Sequence, residues 1–252
     1  MNTAHISIKD LSMGYGSFMV QEHLCFDINH KDIFIIMGGS GCGKSTLLRH
    51  LIGLQRPCSG KIFFKDKSLW DISSSERKEI MKQFGVLYQK GALWSSMTLA
   101  ENIALPMEEH TRLKPADIRD RVSFKLALVG LSGFENYYPS EISGGMQKRA
   151  ALARAMALDP DILFFDEPSA GLDPVSSRRL DDLILELNES LGATIVMVTH
   201  ELASIFATGT NSVFLDAKAK TMIASGRPRT LLESETNAIV RAFLTRGQEG
   251  MA

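Results

Sequence analysis

The chain has 252 residues, 44% hydrophobic and 23% charged, with 28 Lys and Arg against 29 Asp and Glu. That length buries a full core without disulfide staples, and the composition excludes disordered, collagenous and coiled-coil chains. A formal net charge of −1 excludes holding nucleic acid through bulk electrostatics. Cys25, Cys42 and Cys58 show no CxxC spacing, so a disulfide framework and a zinc site are set aside in favour of reduced thiols. No run approaches the roughly 20 apolar residues of a membrane span. The N-terminal ten residues lack the basic flank and apolar run of a secretion signal. The expected address is cytoplasmic, and any membrane span must come from a partner.

In chain order, Ile6 and Ile8 alternate with polar neighbours and predict a half-exposed strand over His5–Met13; Leu24–Ile28 is similar. Ile33–Met37 is a continuous apolar run, as expected of a central strand covered on both faces. A helix follows over Lys44–Leu54, and a short strand over Val86–Tyr88. From about Trp94 to Leu158 helical patterns dominate. Ile118, Val122, Leu126 and Val129 form a stripe within Ala116–Leu131. Ser143–Leu158 is rich in Ala, Arg, Met and Leu, with Ser143 placed as N-cap. Ile162–Phe165 and Thr194–Val198 are two further apolar runs. Between them Asp173-Pro174 caps and starts a helix over Val175–Leu191. The tail predicts a hairpin, Ser212–Asp216 with Thr221–Ala224, and one or two short helices. Strands alternating with helices predict an α/β fold with a largely parallel sheet and a helical insertion. Ligands of such sheets bind beyond the carboxyl ends of the strands, so the ends of the three apolar runs are expected to serve one site.

After the first run comes Gly38-Gly39-Ser40-Gly41-Cys42-Gly43-Lys44-Ser45, then Thr46. It fits G-x-x-x-x-G-K-[ST] between a strand and a helix, the placement that makes it a phosphate cradle. The glycines let backbone N–H groups turn inward, and the helix aims its N-terminal dipole at the same anion. Lys44 would neutralise β- and γ-phosphate charge, and the Ser45 hydroxyl would ligate Mg²⁺. Cys42 occupies a variable position of the cradle. The second run ends in Asp166-Glu167. Asp166 offers a hard oxygen ligand to Mg²⁺, and Glu167 a general base for the attacking water. Phosphoryl transfer is mostly positioning and charge stabilisation, so these few groups suffice. The third run ends at Thr199-His200, where His200 would bond the γ-phosphate or the water.

Five further pieces fall in order around these: Tyr15, Gln89, Ile142-Ser143-Gly144-Gly145-Met146-Gln147, Ser169-Ala170-Gly171-Leu172-Asp173, and His200 last. With them the whole chain resembles the nucleotide-binding subunit of an ABC transporter. The resemblance implies a P-loop NTPase, RecA-like core at about 1–93 and 159–252, with an antiparallel β subdomain and a helical subdomain at about 94–158. It implies ATP and Mg²⁺ as cofactors, and two copies that sandwich two ATP molecules. Tyr15 would stack on adenine, unless it is an ordinary half-buried aromatic. Gln89 would ligate Mg²⁺ or the attacking water. Ser143, Gly144 and Gly145 would bind the γ-phosphate of ATP held by the second copy. Asp173 would lie across the dimer interface as well as capping its helix. The segment Lys90–Met97 would meet a transmembrane permease; Leu93 and Trp94 pack there or in the core.

Met146 stands where the family usually has Gln, with Gln147 one place later. It is similar to the branch of ATPases that serve Mla-type phospholipid transport. The stretches Tyr88–Trp94, Glu101–Pro106, Glu109–Thr111 and Ala238–Leu244 resemble that branch too. That branch implies an MCE-domain lipid carrier, a small regulatory subunit, and a peripheral place on the cytoplasmic face of the inner membrane. An amino-acid or ion importer ATPase is the alternative, because the cargo never touches this subunit. A soluble ABC ATPase of DNA repair would need a coiled coil between Gln89 and Ser143, where there are no heptads. A ribosome-acting protein would usually carry two cassettes. An inactive interaction module would not keep Lys44, Asp166, Glu167 and His200.

Overall fold

The structure, a computed structural model, describes residues 4–234 and 236–246. In chain order the strands are β1 (Ala4–Tyr15), β2 (Phe18–Asn29), β3 (Ile33–Gly38), β4 (Ser59–Phe64), β5 (Lys67–Ser68), β6 (Phe84–Leu87), β7 (Ile162–Asp166), β8 (Thr194–Val198), β9 (Asn211–Asp216) and β10 (Thr221–Ser225). The helices are α1 (Lys44–Leu51), α2 (Ser74–Met81), α3 (Leu99–His110), α4 (Pro115–Leu128), α5 (Gly144–Ala155), α6 (Pro174–Leu191), α7 (Leu202–Thr208), α8 (Pro228–Ser234) and α9 (Ala238–Leu244). They form two compact units. The first holds the residues up to Met81 and those from Thr194 onward; the second is Lys82–Ala193.

The first unit carries two sheets. One is antiparallel, in the order β2-β1-β4-β5. The other runs β10-β9-β3-β8, with β3 parallel to both β8 and β9 and β10 antiparallel to β9. All six residues of β3 and all five of β8 are buried, which is why both read as unbroken apolar runs. In register, Ile36 pairs Val198 and Gly38 pairs Leu215. Leu47, Leu48 and Leu51 are the buried stripe of α1, which packs on β3 and β8.

In the second unit β6 and β7 are parallel, Leu87 opposite Phe165. Helices α3, α4 and α5 pack on one another, and α5 also packs on β6 and α6. Residues 94–158, expected as a helical insertion, thus share a unit with β6, β7 and α6. Thr98 and Glu101 form a reciprocal capping box at the start of α3. Just before it, buried Asn102 gathers the turn: its Nδ2 donates to the Trp94, Met97 and Thr98 carbonyls, and its Oδ1 accepts from Trp94 N at 2.7 Å. The Trp94 ring is left 54% exposed, so it is not a core side chain.

Candidate nucleotide site

The loop after β3 is shaped by its glycines. A Cβ at Gly38 (φ +145°) would meet Leu215 O at 2.3 Å, and one at Gly43 (φ +97°) would meet Val20 Cγ1 at 2.5 Å. Gly43 opens α1 in the left-handed region with no side-chain cap, and the first turn holds no acidic residue. The first N–H groups and the helix dipole therefore point where an anion could sit with no side-chain cap or carboxylate competing for them. Lys44 folds across the loop, its Nζ donating to the carbonyls of Gly38 and Gly39, both at 2.9 Å. Cys42 is buried; burial pushes its thiol pKa up, opposed by the Lys44 ammonium 3.9 Å away, so it stands as a neutral wall of the loop. Ser45 and Thr46 follow on α1, half-buried. Tyr15, 49% exposed, sets its hydroxyl 3.4 Å from Thr46 Oγ1, which lays an open aromatic face beside the start of α1.

His200 belongs to the same unit. It lies two residues beyond Val198 as Gly38 lies two beyond Ile36, so both stand at one edge of adjacent parallel strands. Its ring is exposed, with Nε2 3.7 Å from Glu201 Oε1. Gln21, fully buried, was not singled out by the sequence. Its Nε2 donates to Cys42 O at 2.8 Å and to Asp216 O at 2.9 Å, tying the loop to β2 and to the β9–β10 hairpin.

The second unit repeats the edge logic. Gln89 lies two residues beyond Leu87, and Glu167 two beyond Phe165, so the parallel register brings both to one edge beside Asp166. Glu167 has φ +51°, an uncommon conformation for a side chain of this kind. The loop after it folds tightly, Ala170 N donating to Glu167 O at 3.1 Å and Leu172 N to Ser169 O at 3.1 Å. Asp173 caps α6, its Oδ1 accepting from Val175 N and Ser176 N at 3.0 Å each; Ser176 donors hold its carboxyl below the usual carboxylate range.

Ser143 caps α5 as expected, its Oγ accepting from Met146 N at 3.3 Å. A Cβ at Gly144 would meet nothing within 4 Å, whereas one at Gly145 would lie 3.3 Å from Ser176 Oγ. The signature glycines and the Asp173 cap are therefore neighbours. Gln147 does not substitute for the residue at 146: its Nε2 donates backwards to Pro139 O at 2.8 Å and Ile142 O at 3.3 Å, fixing the turn before α5. Two cations the sequence reading passed over lie behind this helix start. Lys148, 8% exposed, donates to the Gln89 carbonyl; burial pulls its pKa down and the Glu167 carboxylate pulls it back up. Arg154 donates to Ala92 O at 2.5 Å. The available signal was a Lys on the buried face of α5, in step with Ala151 and Leu152.

Each unit thus gathers its own share of the expected residues: Tyr15, 38–46 and His200 in the first, Gln89, Ser143–Gly145, Asp166, Glu167 and Asp173 in the second. The family profile described as ABC transporter matches residues 22–170. The chain belongs to the ABC transporter family. It is 44% identical over 239 residues to the "probable ribonucleotide transport ATP-binding protein mkl" of Mycobacterium leprae, covering 95% of this chain and 68% of that one. It is 39% identical over 250 residues to the "intermembrane phospholipid transport system ATP-binding protein MlaF" of Haemophilus influenzae, covering 99% of this chain and 94% of that one. The dimeric post-hydrolysis structure of the ATP-binding cassette MJ0796 bound to ADP and Pi superposes with a TM-score of 0.79 at 27% identity, over 88% of this chain and 98% of that one. This ABC cassette is an α/β P-loop ATPase, and nucleotide is its ligand.

Proposed function

We propose that this ABC ATPase powers a membrane permease that moves phospholipid between membranes. The observation that carries the cargo is the likeness to MlaF, which extends over 94% of that protein's length. Lys44, with the backbone of Gly38, Gly39, Ser40, Gly41, Cys42 and Gly43, holds the phosphates of ATP, and Tyr15 stacks on the base. The hydroxyl of Ser45, the amide oxygen of Gln89 and the carboxylate of Asp166 are hard oxygen donors of the kind Mg²⁺ takes, so these residues would hold the ion. Bound there, Mg²⁺ neutralises charge on the β- and γ-phosphates. Glu167 takes a proton from the attacking water as it forms its bond to the γ-phosphorus, and ADP leaves. His200 orients the γ-phosphate. Ser143, Gly144 and Gly145 bind the ATP of a second copy, and Asp173 meets that copy across the interface.

Among the described residues no helix is long and apolar enough to cross a membrane. On this reading the chain is a peripheral subunit on the cytoplasmic face of the inner membrane, with the permease met through Lys90–Met97. Its further partners are an MCE-domain lipid carrier and a small regulatory subunit. The name of the mycobacterial relative favours a second reading, with a ribonucleotide as cargo and the same ATP chemistry.

The test uses Glu167→Gln. Turnover falls by roughly 10²–10⁴-fold, the range of a lost general base, with ATP binding retained; turnover within a factor of two of the parent removes Glu167 from that role. The tagged variant is then drawn from detergent-solubilised membranes and its companions identified by mass spectrometry. A multi-span permease, an MCE-domain protein and phospholipid support the lipid reading. A solute-binding protein with its permease, or co-purified nucleotide cargo, overturns the cargo while keeping the ATPase. DNA or ribosomal companions without a permease overturn the transport role.

A further inference from the structure

Within the second unit, one buried cation joins three parts that the mechanism otherwise treats separately. Lys148 lies on the first turns of α5, four residues past Gly144, and is only 8% exposed. Its ammonium donates to the backbone carbonyl of Gln89. Behind it the same helix holds the rest of that loop: a Cβ at Gly91 would lie 3.3 Å from Ala151 Cβ, and Arg154 donates to Ala92 O at 2.5 Å. Burial lowers the Lys148 pKa, and the charge of the Glu167 carboxylate raises it in opposition. A cleft of about 500 Å³ is bordered by Lys90, Leu93, Gly144, Lys148, Ala170 and Leu172, so Lys148 lines the same cleft as the loops that follow Gln89 and Glu167.

A lone ammonium so far out of water is costly unless its donors are used. Lysine has three donors and no acceptor, so it suits a position between a carbonyl and a carboxylate. An apolar residue of the same length would fill the space at lower cost. What the ammonium adds is a charged link from the start of α5 to the Gln89 loop, under the field of Glu167.

We propose that Lys148 is a positioning residue that carries any displacement of the Ser143–Gly145 helix start into the Gln89 loop and the Glu167 carboxylate of the same chain. Phosphate seated by one copy at the start of α5 thereby readies that copy's own hydrolytic groups. This rests on the assignment of Ser143–Gly145, Gln89 and Glu167 given above. Lys148 itself touches neither nucleotide nor water in this scheme.

The experiment compares Lys148→Met, Lys148→Arg and Lys148→Gln in the full chain, with thermal unfolding as a check on folding. A methionine side chain is close to lysine in length and lacks its charge, so Lys148→Met removes the ammonium without overfilling the space. In that variant turnover at saturating ATP falls about 10- to 100-fold, the cost of misplacing reacting groups by about an ångström. KM for ATP moves less than about threefold, because the cradle is in the other unit. Lys148→Arg, which keeps donors and charge, recovers most of the turnover. In a Glu167→Gln background Lys148→Met adds no further loss, as expected of two residues that act as one. A folded Lys148→Met at parental turnover overturns the proposal. So does a rise in KM with turnover unchanged, or a full additional loss in the Glu167→Gln background. If Lys148→Met does not fold, Lys148→Gln and Lys148→Arg decide: both at parental turnover overturns it, and loss of turnover in Lys148→Gln alone supports it. If Glu167→Gln itself keeps parental turnover, the fault lies in the assignment of Glu167 and not in the link.

Discussion

The two helix starts offered to phosphate are built on opposite plans. At α1 the cap is a glycine in the left-handed region, and the loop before it admits no Cβ at Gly38 or Gly43. No side chain caps the helix, and Lys44 spans the gap by bonding to its own loop. At α5 the cap is a serine in extended backbone, already bonded to Met146 N, and Gly144 faces open space. The first helix start is therefore built inward, from the fold around it. The second is built outward, and its Ser143 hydroxyl has a hydrogen to give to an arriving acceptor. An inward site fails by losing the fold around it. An outward site fails by losing its visitor.

That contrast can be broken, beginning with the largest effect. Gly38→Ala drives a Cβ to 2.3 Å from Leu215 O in a conformation L residues avoid, so ATP binding by equilibrium titration is lost and Tm falls sharply. Retained binding would show that the cradle tolerates a side chain. Ser143→Arg leaves ATP binding intact but abolishes ATP-dependent dimers of the Glu167→Gln chain in size-exclusion chromatography. Loss of the cap costs about 1 kcal/mol of stability in addition; persistent dimers would refute the outward reading. Gly144→Ala makes the sharpest comparison with Gly38→Ala. The methyl meets nothing within 4 Å, so unfolding shows a gain of about 0.4–1 kcal/mol, while dimer yield drops. The smallest effect is at Asp173. Its folded carboxyl titrates below its ordinary range because Ser176 donates to it. Its contribution is complete above the unfolded pKa and is lost as pH falls through the folded one. Asn caps equally well without titrating, so the parent loses Tm relative to Asp173→Asn as pH falls from about 5 to about 3.

What the sequence disclosed follows the same division. The ends of β3, β7 and β8 were legible because strands buried on both faces write unbroken apolar runs. The caps at Ser143 and Asp173 were legible because capping is local. Helix α1 ends at Leu51 rather than Leu54, where Gly53 takes a left-handed backbone at φ +76°, and α5 ends at Ala155 rather than Leu158. Strands β4 and β5 and helix α2 had little pattern to show: Lys61, Lys65 and Lys67 interrupt the alternation, and only Ile80 of α2 is buried. Gln21, Lys148 and Arg154 act on carbonyls 21, 59 and 62 residues away, and no local rule reads partners at that distance.

The carboxamide of Gln21 has a consequence for timing. With Cys42 O and Asp216 O both fastened to it, the loop's backbone is set when β2 and the β9–β10 hairpin come together. The disorder that a mobile loop would surrender on each encounter is surrendered once, at folding. On the proposed function, nucleotide would meet a loop whose backbone is already set, with little closure left to make. On that same reading, the backbone amides of this loop would grip what ADP and ATP share, and Lys44 would reach on to the third phosphate. Telling the two apart falls to groups that reach the third phosphate, and with it the direction of the cycle.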